Sequence, residues 1–189
     1  MTSFITDILI KYNFIEESER KTYIYCFSFI TEYLLFIATS LIIGALFHNI
    51  LPLMIFLTVF IILRSFGGGY HACTHTGCIL YSYITIILFC ILISRVDIAL
   101  NAHTIYCFTA VYILSCVLYI LYAPVDCTTR RLDAKQKHSF KKRAVITCLL
   151  TASIYIIFVS HGNSKLCISV LSGNVLCTIS MLLGRINEQ

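Results

Sequence analysis

Between Arg64 and Cys78 the sequence concentrates the side chains best suited to chemistry. His71 and Cys78 stand seven positions apart and follow three adjacent glycines, residues 67–69. A cysteine thiolate is a strong nucleophile, and a neighbouring imidazole lowers the pKa of the thiol and later protonates the leaving amine. Glycine backbones turn sharply, which lets the two side chains meet. The segment therefore predicts a cysteine-type peptidase site with His71 as its base.

Spacing alone leaves two other interpretations of this segment open. His71, Cys73, His75 and Cys78 are four good zinc ligands within a short stretch. Structural zinc sites, however, usually take their ligand pairs from two separated segments. The second interpretation is a packed interfacial loop that buries a thiol. We predict a site without metal or cofactor, in which Cys78 opens a helix whose N-terminus favours the thiolate and offers N–H groups to an oxyanion.

The composition places these residues in a membrane protein. Of the 189 residues, 59% are hydrophobic and 12% charged, whereas soluble domains are nearer half apolar and a quarter charged. The length allows about six membrane crossings of roughly 20 residues each, without room for a separate soluble domain. Most of the ten cysteines fall in apolar runs, where thiols behave as small hydrophobes, so we predict no disulfide framework.

The apolar runs predict an all-α, polytopic fold with six transmembrane helices. The runs cover residues 25–47, 51–66, 78–94, 105–122, 144–160 and 166–183, and none alternates as a membrane β-strand would. Residues 1–22 mix charges with apolar side chains at helical spacing, notably Phe4, Ile8, Tyr12 and Ile15, which predicts an amphipathic helix on the membrane surface. The prediction is one integral membrane domain, 1–189, with a six-helix bundle over 23–184.

The basic residues predict the orientation, because cytoplasmic loops of membrane proteins are enriched in Lys and Arg. With the N-terminus inside, only Arg95 and Lys165 of the 14 basic residues lie outside. Both termini are therefore predicted to be cytoplasmic in a multi-pass protein of the cell membrane. Seven basic residues fall in the segment 123–143, which we expect to contact anionic lipids. No stacking aromatics or groove-reading fold accompany them, so we predict no nucleic-acid partner.

Glu32 is a carboxylate within the first predicted span. An intramembrane carboxylate is costly unless it is paired or functional. Three roles stay open: Glu32 orients His71 as a third catalytic group, pairs with Arg64, or remains protonated.

Two motifs carry a resemblance to a known family. The run Gly68-Gly69-Tyr70-His71-Ala72 followed by Cys78, and the run Tyr122-Ala123-Pro124-Val125-Asp126, resemble the accessory gene regulator B (AgrB) family of membrane endopeptidases. Length, span number and the basic segment agree over essentially the whole chain. Arg64 matches a basic residue that usually precedes the glycines.

The resemblance implies that His71 and Cys78 are the catalytic pair and that the substrate is an AgrD-like quorum-sensing pro-peptide. Cleavage would pass through an acyl-enzyme, which an internal cysteine of the peptide resolves into a thiolactone. Pro124 and the following segment would contact substrate, although Arg130 and Arg131 stand where the family tends to carry Lys-Pro. Membrane lipids and a second copy of the chain are further candidate partners.

A small peptide transporter or exporter without peptidase chemistry is the alternative. Transporters tend to show internal repeats and polar or broken helices near the membrane midplane. The midspan polar content of this chain consists of Ser, Thr and Cys, with Glu32 as its carboxylate. The glycine break lies at a membrane edge. These features favour the peptidase.

The peptidase interpretation predicts that the chemistry resides in one thiol. Cys78→Ala and Cys78→Ser should abolish cleavage of a pro-peptide, because each removes the nucleophile. Cys73→Ser and His75→Ala should keep most of it, since neither side chain takes part. Equal loss in Cys73→Ser and Cys78→Ser, or one zinc per chain by metal analysis, would instead establish a metal site.

Overall fold

Helices make up nearly all of the described chain. The computed structural model describes residues 2–12, 14–68, 75–96, 102–125 and 133–187. Within these ranges the helices are α1 (Thr2–Lys11), α2 (Arg20–Leu46), α3 (Ile50–Gly67), α4 (His75–Ser94), α5 (Ala102–Tyr122), α6 (Ala134–Ser160) and α7 (Ser164–Asn187), with a 3₁₀ turn at Glu17–Glu19 before α2. The described ranges contain no β-strand. The all-α prediction is confirmed.

Five helical stretches are long and apolar enough to cross a membrane. They are Glu17–Leu46, Ile50–Gly67, His103–Tyr122, Lys135–Ser160 and Ser164–Ile186. The remaining predicted span corresponds to α4, whose apolar part over Ile79–Ser94 is shorter. The chain is thus a multi-pass membrane protein by helix length and composition, and the count of six stays a prediction.

Several helices begin or end away from the predicted boundaries. α4 begins at His75 and not at Cys78, and α6 begins at Ala134, ten residues before the predicted start at residue 144. The prediction followed apolar runs and therefore missed polar first turns. Lys, Arg, Gln and Ala are good helix formers, and the Asp133 N–H donates to Gln136 Oε1 at 3.4 Å. Much of the predicted basic loop is therefore helix.

The N-terminal segment is also more divided than predicted. α1 ends at Lys11, so Tyr12 and Ile15 lie beyond it. An ion pair between Arg20 and Asp7, with Nη2 and Oδ1 2.6 Å apart, links the start of α2 to α1. The contacts divide the chain into two compact units, Met1–Ile42 and Ile43–Gln189. The surface location of α1 stays a prediction.

α7 is the central helix of the Ile43–Gln189 unit. It packs against α3, α4, α5 and α6, and 61% of its apolar stretch is buried, against 33% or less for the other four spans. It approaches α3 closely at Gly173, where an added Cβ would lie 2.9 Å from the Phe56 carbonyl oxygen and 3.1 Å from Val59 Cβ. Glycine therefore sets the distance between the two helices.

A buried polar cluster joins α5 to α7. Ser115 Oγ donates to Asn174 Oδ1 and lies 3.0 Å from Thr178 Oγ1, while Asn174 Nδ2 donates to Cys116 Sγ at 3.5 Å. Hydrogen bonds between membrane helices hold them together because lipid offers no competing partner. The sequence analysis overlooked Asn174, whose amide lies in the middle of the predicted span 166–183.

The close approach at Gly173 predicts a specific loss of stability. Gly173→Leu should lower the free energy of unfolding by about 1–3 kcal/mol, because the larger side chain forces α7 away from α3. Ser172→Leu, at the adjacent half-exposed position, should change it little. Unfolding of the purified chains in detergent measures the difference, and equal stability of both variants would contradict the packing.

Candidate functional site

α3 ends at the first glycines of the segment predicted to carry the chemistry. Gly68 has a φ of +75° and its N–H donates to the Arg64 carbonyl at 3.1 Å. A positive φ favours glycine, since other residues are strained there. Gly68 therefore turns the chain out of α3 toward His71.

The second motif lies directly against this turn. After α5 ends at Tyr122, the chain continues through Ala123, Pro124 and Val125, and the Ala123–Pro124 peptide bond is cis. The Val125 N–H donates to the Gly67 carbonyl at 3.0 Å. An added Cβ at Gly68 would lie 2.6 Å from the Val125 carbonyl oxygen. Residues of the two motifs that lie more than fifty positions apart in the sequence, Gly68 and Val125, thus meet through backbone contacts.

Tyr119, on α5, packs against the end of α3 just before the turn. Its hydroxyl donates to the Leu63 carbonyl at 2.7 Å, and the side chain is fully buried. An added Cβ at Gly67 would lie 2.5 Å from Tyr119 Cε2, so Gly67 makes room for the ring. The sequence analysis gave Tyr119 no role beyond its place in the apolar run 105–122. Its only signal was its place one turn before the Ala-Pro-Val run.

Lys141, in the early turns of α6, reaches the same place. Its ammonium Nζ donates to the carbonyls of Ala123 at 2.7 Å and Leu121 at 3.3 Å, and also to that of Ile120. Lys141 is half-buried. The last carbonyls of a helix lack intrahelical partners, so this lysine caps the end of α5.

Further positive charge gathers at this end of the Ile43–Gln189 unit. The Arg64 guanidinium lies over the Phe60 ring at 5.5 Å, and that of Arg185 over the Tyr122 ring at 4.6 Å. Both distances allow cation–π attraction. Residues predicted to face the cytoplasm therefore share one end of the unit.

The structure unites some of the predicted site residues and leaves others untested. Gly68 lies against Val125, the residue that follows Pro124. Cys78 is the fourth residue of α4, in its first turn. The structure describes its backbone but not its side chain. His71, Gly69, Arg130 and Arg131 fall outside the described residues. Glu32 lies on α2 within the other unit, with an exposed side chain.

The described part of the chain holds no group of three His, Cys, Asp or Glu side chains that could bind a metal ion. The zinc alternative concerns residues outside that part, because the side chains of His71, Cys73, His75 and Cys78 are not described. It therefore stays open.

A scan against protein families matches the model of accessory gene regulator B over residues 2–182. The chain belongs to the AgrB family. The match covers nearly all of the chain and confirms the resemblance seen in the two motifs. Membership links this AgrB protein to the processing of a quorum-sensing peptide and implies an AgrD-related peptide as its substrate. No curated protein and no solved structure matches it.

The contact between the two motifs predicts different outcomes for two glycines with positive φ. Ala at Gly68, whose φ of +75° and ψ of −163° lie in a region that essentially only glycine adopts, is strained by about 1–3 kcal/mol, and Ala at Gly162 with its φ of +67° is strained as well. Only at Gly68 would the methyl also meet Val125, since nothing lies within 4 Å of an added Cβ at Gly162. Gly68→Ala should therefore lose peptide processing, while Gly162→Ala keeps it.

The processing of a peptide by each variant in membranes measures activity, and thermal unfolding of both purified variants checks that they fold. Equal processing by two folded variants would show that the contact between Gly68 and Val125 is dispensable.

Proposed function

We propose that this chain is a membrane-embedded cysteine endopeptidase that cleaves an AgrD-like pro-peptide at the cytoplasmic face. Cys78 is the nucleophile and His71 is the base and acid. The observation that carries the proposal is the bond from the Val125 N–H to the Gly67 carbonyl. This bond anchors the segment leading to His71 on the Ala-Pro-Val motif, as a site assembled from both motifs requires.

The proposed reaction has two steps. His71 takes the proton of the Cys78 thiol, and the thiolate attacks a carbonyl carbon of the pro-peptide. The new C–S bond forms as the peptide C–N bond breaks, and His71 returns its proton to the leaving amine. The C-terminal fragment departs and a thioester joins the N-terminal fragment to Cys78.

The second step exchanges one thioester for another. The thiol of an internal cysteine of the bound fragment attacks the thioester carbonyl, closes a thiolactone ring and frees Cys78 as a thiol. The exchange is nearly neutral in energy because one C–S bond replaces another. Exclusion of water near the membrane favours this ring closure over hydrolysis.

The basic side chains among the described residues fit the proposed cytoplasmic location of the site. Arg64 and Arg185, together with exposed Lys135 and Lys142 at the start of α6, give this end the charge expected of a cytoplasmic face. Six spans, cytoplasmic termini, contact with anionic lipid and assembly with a second copy belong to the same proposal. Glu32 keeps its three candidate roles.

The exporter alternative expects broken helices beside a polar midspan site. α5 and α7 run unbroken past the buried Ser115 and Asn174, and these two side chains bond to each other. Their polar groups are therefore occupied within the bundle, which favours the peptidase.

The intermediate tests the proposal. A substrate peptide whose internal cysteine is replaced by Ser should still be cut, but the N-terminal fragment should accumulate as a hydroxylamine-sensitive conjugate on Cys78. Intact mass spectrometry of the full chain measures the conjugate. His71→Ala should prevent it, because the thiol then stays protonated.

Cys73→Ser is the matched control and should form the conjugate normally. Cleavage at the normal rate without any trapped conjugate, or cleavage that survives Cys78→Ala, would mean that Cys78 is not the nucleophile.

A further inference from the structure

The side chain of Lys141, on α6, contacts the protein backbone. Lys135, Lys142 and Arg143 are exposed, whereas Lys141 is half-buried. Its ammonium has three N–H donors, and it contacts three main-chain carbonyls at the end of α5. The orientation of Lys141 is therefore toward the protein backbone and not toward solvent or lipid headgroups.

These carbonyls lead directly to the turn before His71. One of them, that of Ala123 at 2.7 Å, belongs to the residue two positions before Val125. Val125 in turn bonds the Gly67 carbonyl at 3.0 Å. The positive charge of Lys141 thus holds the chain where it leaves α5. The Val125–Gly67 hydrogen bond then connects this point to the end of α3.

The start of α6 is itself held in place. The Phe140 ring, next to Lys141, packs near the Phe66 ring of α3 with their centroids 6.3 Å apart. The negative end of the α5 dipole also favours a cation at this point. Phe140 and Lys141 therefore join the early turns of α6 to the ends of α3 and α5.

We propose that Lys141 is a positioning residue for the peptidase site, acting through the α5 exit on the segment that carries His71. This inference rests on the proposed function, in which His71 activates Cys78. Without the ammonium, the exit of α5 and the Gly67–Val125 contact lose their fixed geometry. A displaced imidazole then activates the thiol less well.

The test follows the reactivity of Cys78 in the full-length chain without any substrate. Iodoacetamide alkylates a thiolate, and mass spectrometry of the fragment containing Cys78 gives its rate at each pH. In Lys141→Met the rate near pH 7 should fall on the order of tenfold, since small displacements at a reacting pair have large effects on rate. The pH at half-maximal alkylation should rise.

Two matched variants separate positioning from general effects of charge. Lys142→Met removes a positive charge from the exposed neighbouring position and should keep the wild-type pH profile. Lys141→Arg, which retains charge and donors, should restore most of the alkylation rate. If Lys142→Met slows alkylation as much as Lys141→Met does, the effect is one of overall charge and the proposal is overturned.

Folding is checked by thermal unfolding of each purified variant. If Lys141→Met does not fold, Lys141→Gln replaces it, because its amide keeps donors but is one atom shorter. An unchanged pH profile in the folded variant overturns the role of Lys141. That result leaves the peptidase proposal intact, which fails separately if Cys78→Ala still cleaves.

Discussion

The main-chain carbonyls at the ends of α3 and α5 impose the constraint on which this end of the protein depends. The last carbonyls of a helix have no partner within it, and a buried carbonyl without a donor costs about 1–3 kcal/mol. Here the donors come from elsewhere in the chain. Val125 supplies an N–H to Gly67, Tyr119 a hydroxyl to Leu63, and Lys141 an ammonium to the end of α5. The exits of two helices are therefore fixed by one another.

This arrangement explains why adjacent glycines begin the segment. Gly67 leaves space for the Tyr119 ring, whereas Gly68 adopts a positive φ and lies against the Val125 carbonyl. The two residues thus meet different requirements, one of close approach and one of backbone conformation. Neither requirement involves a part in the proposed reaction itself. Both concern how the chain leaves α3.

The exits are connected in turn to the most buried part of the bundle. Tyr119 belongs to α5, which Ser115 bonds to Asn174 of α7. α3, which ends at the turn, approaches α7 closely at Gly173. A site for acyl transfer needs its groups held in a narrow range of positions. For the proposed reaction, placement on the ends of helices that pack against α7 would supply such support.

The sequence by itself determined the membrane class, the helical fold, the family and the two motifs, because apolar runs and short motifs are local properties. It placed helix ends poorly where polar residues continue a helix, as at His75 and Ala134. Only the tertiary structure decided that Gly67 bonds Val125, and that Lys141 caps α5. Such contacts depend on how helices that are far apart in the sequence pack together in space, and no local pattern of residues shows that packing.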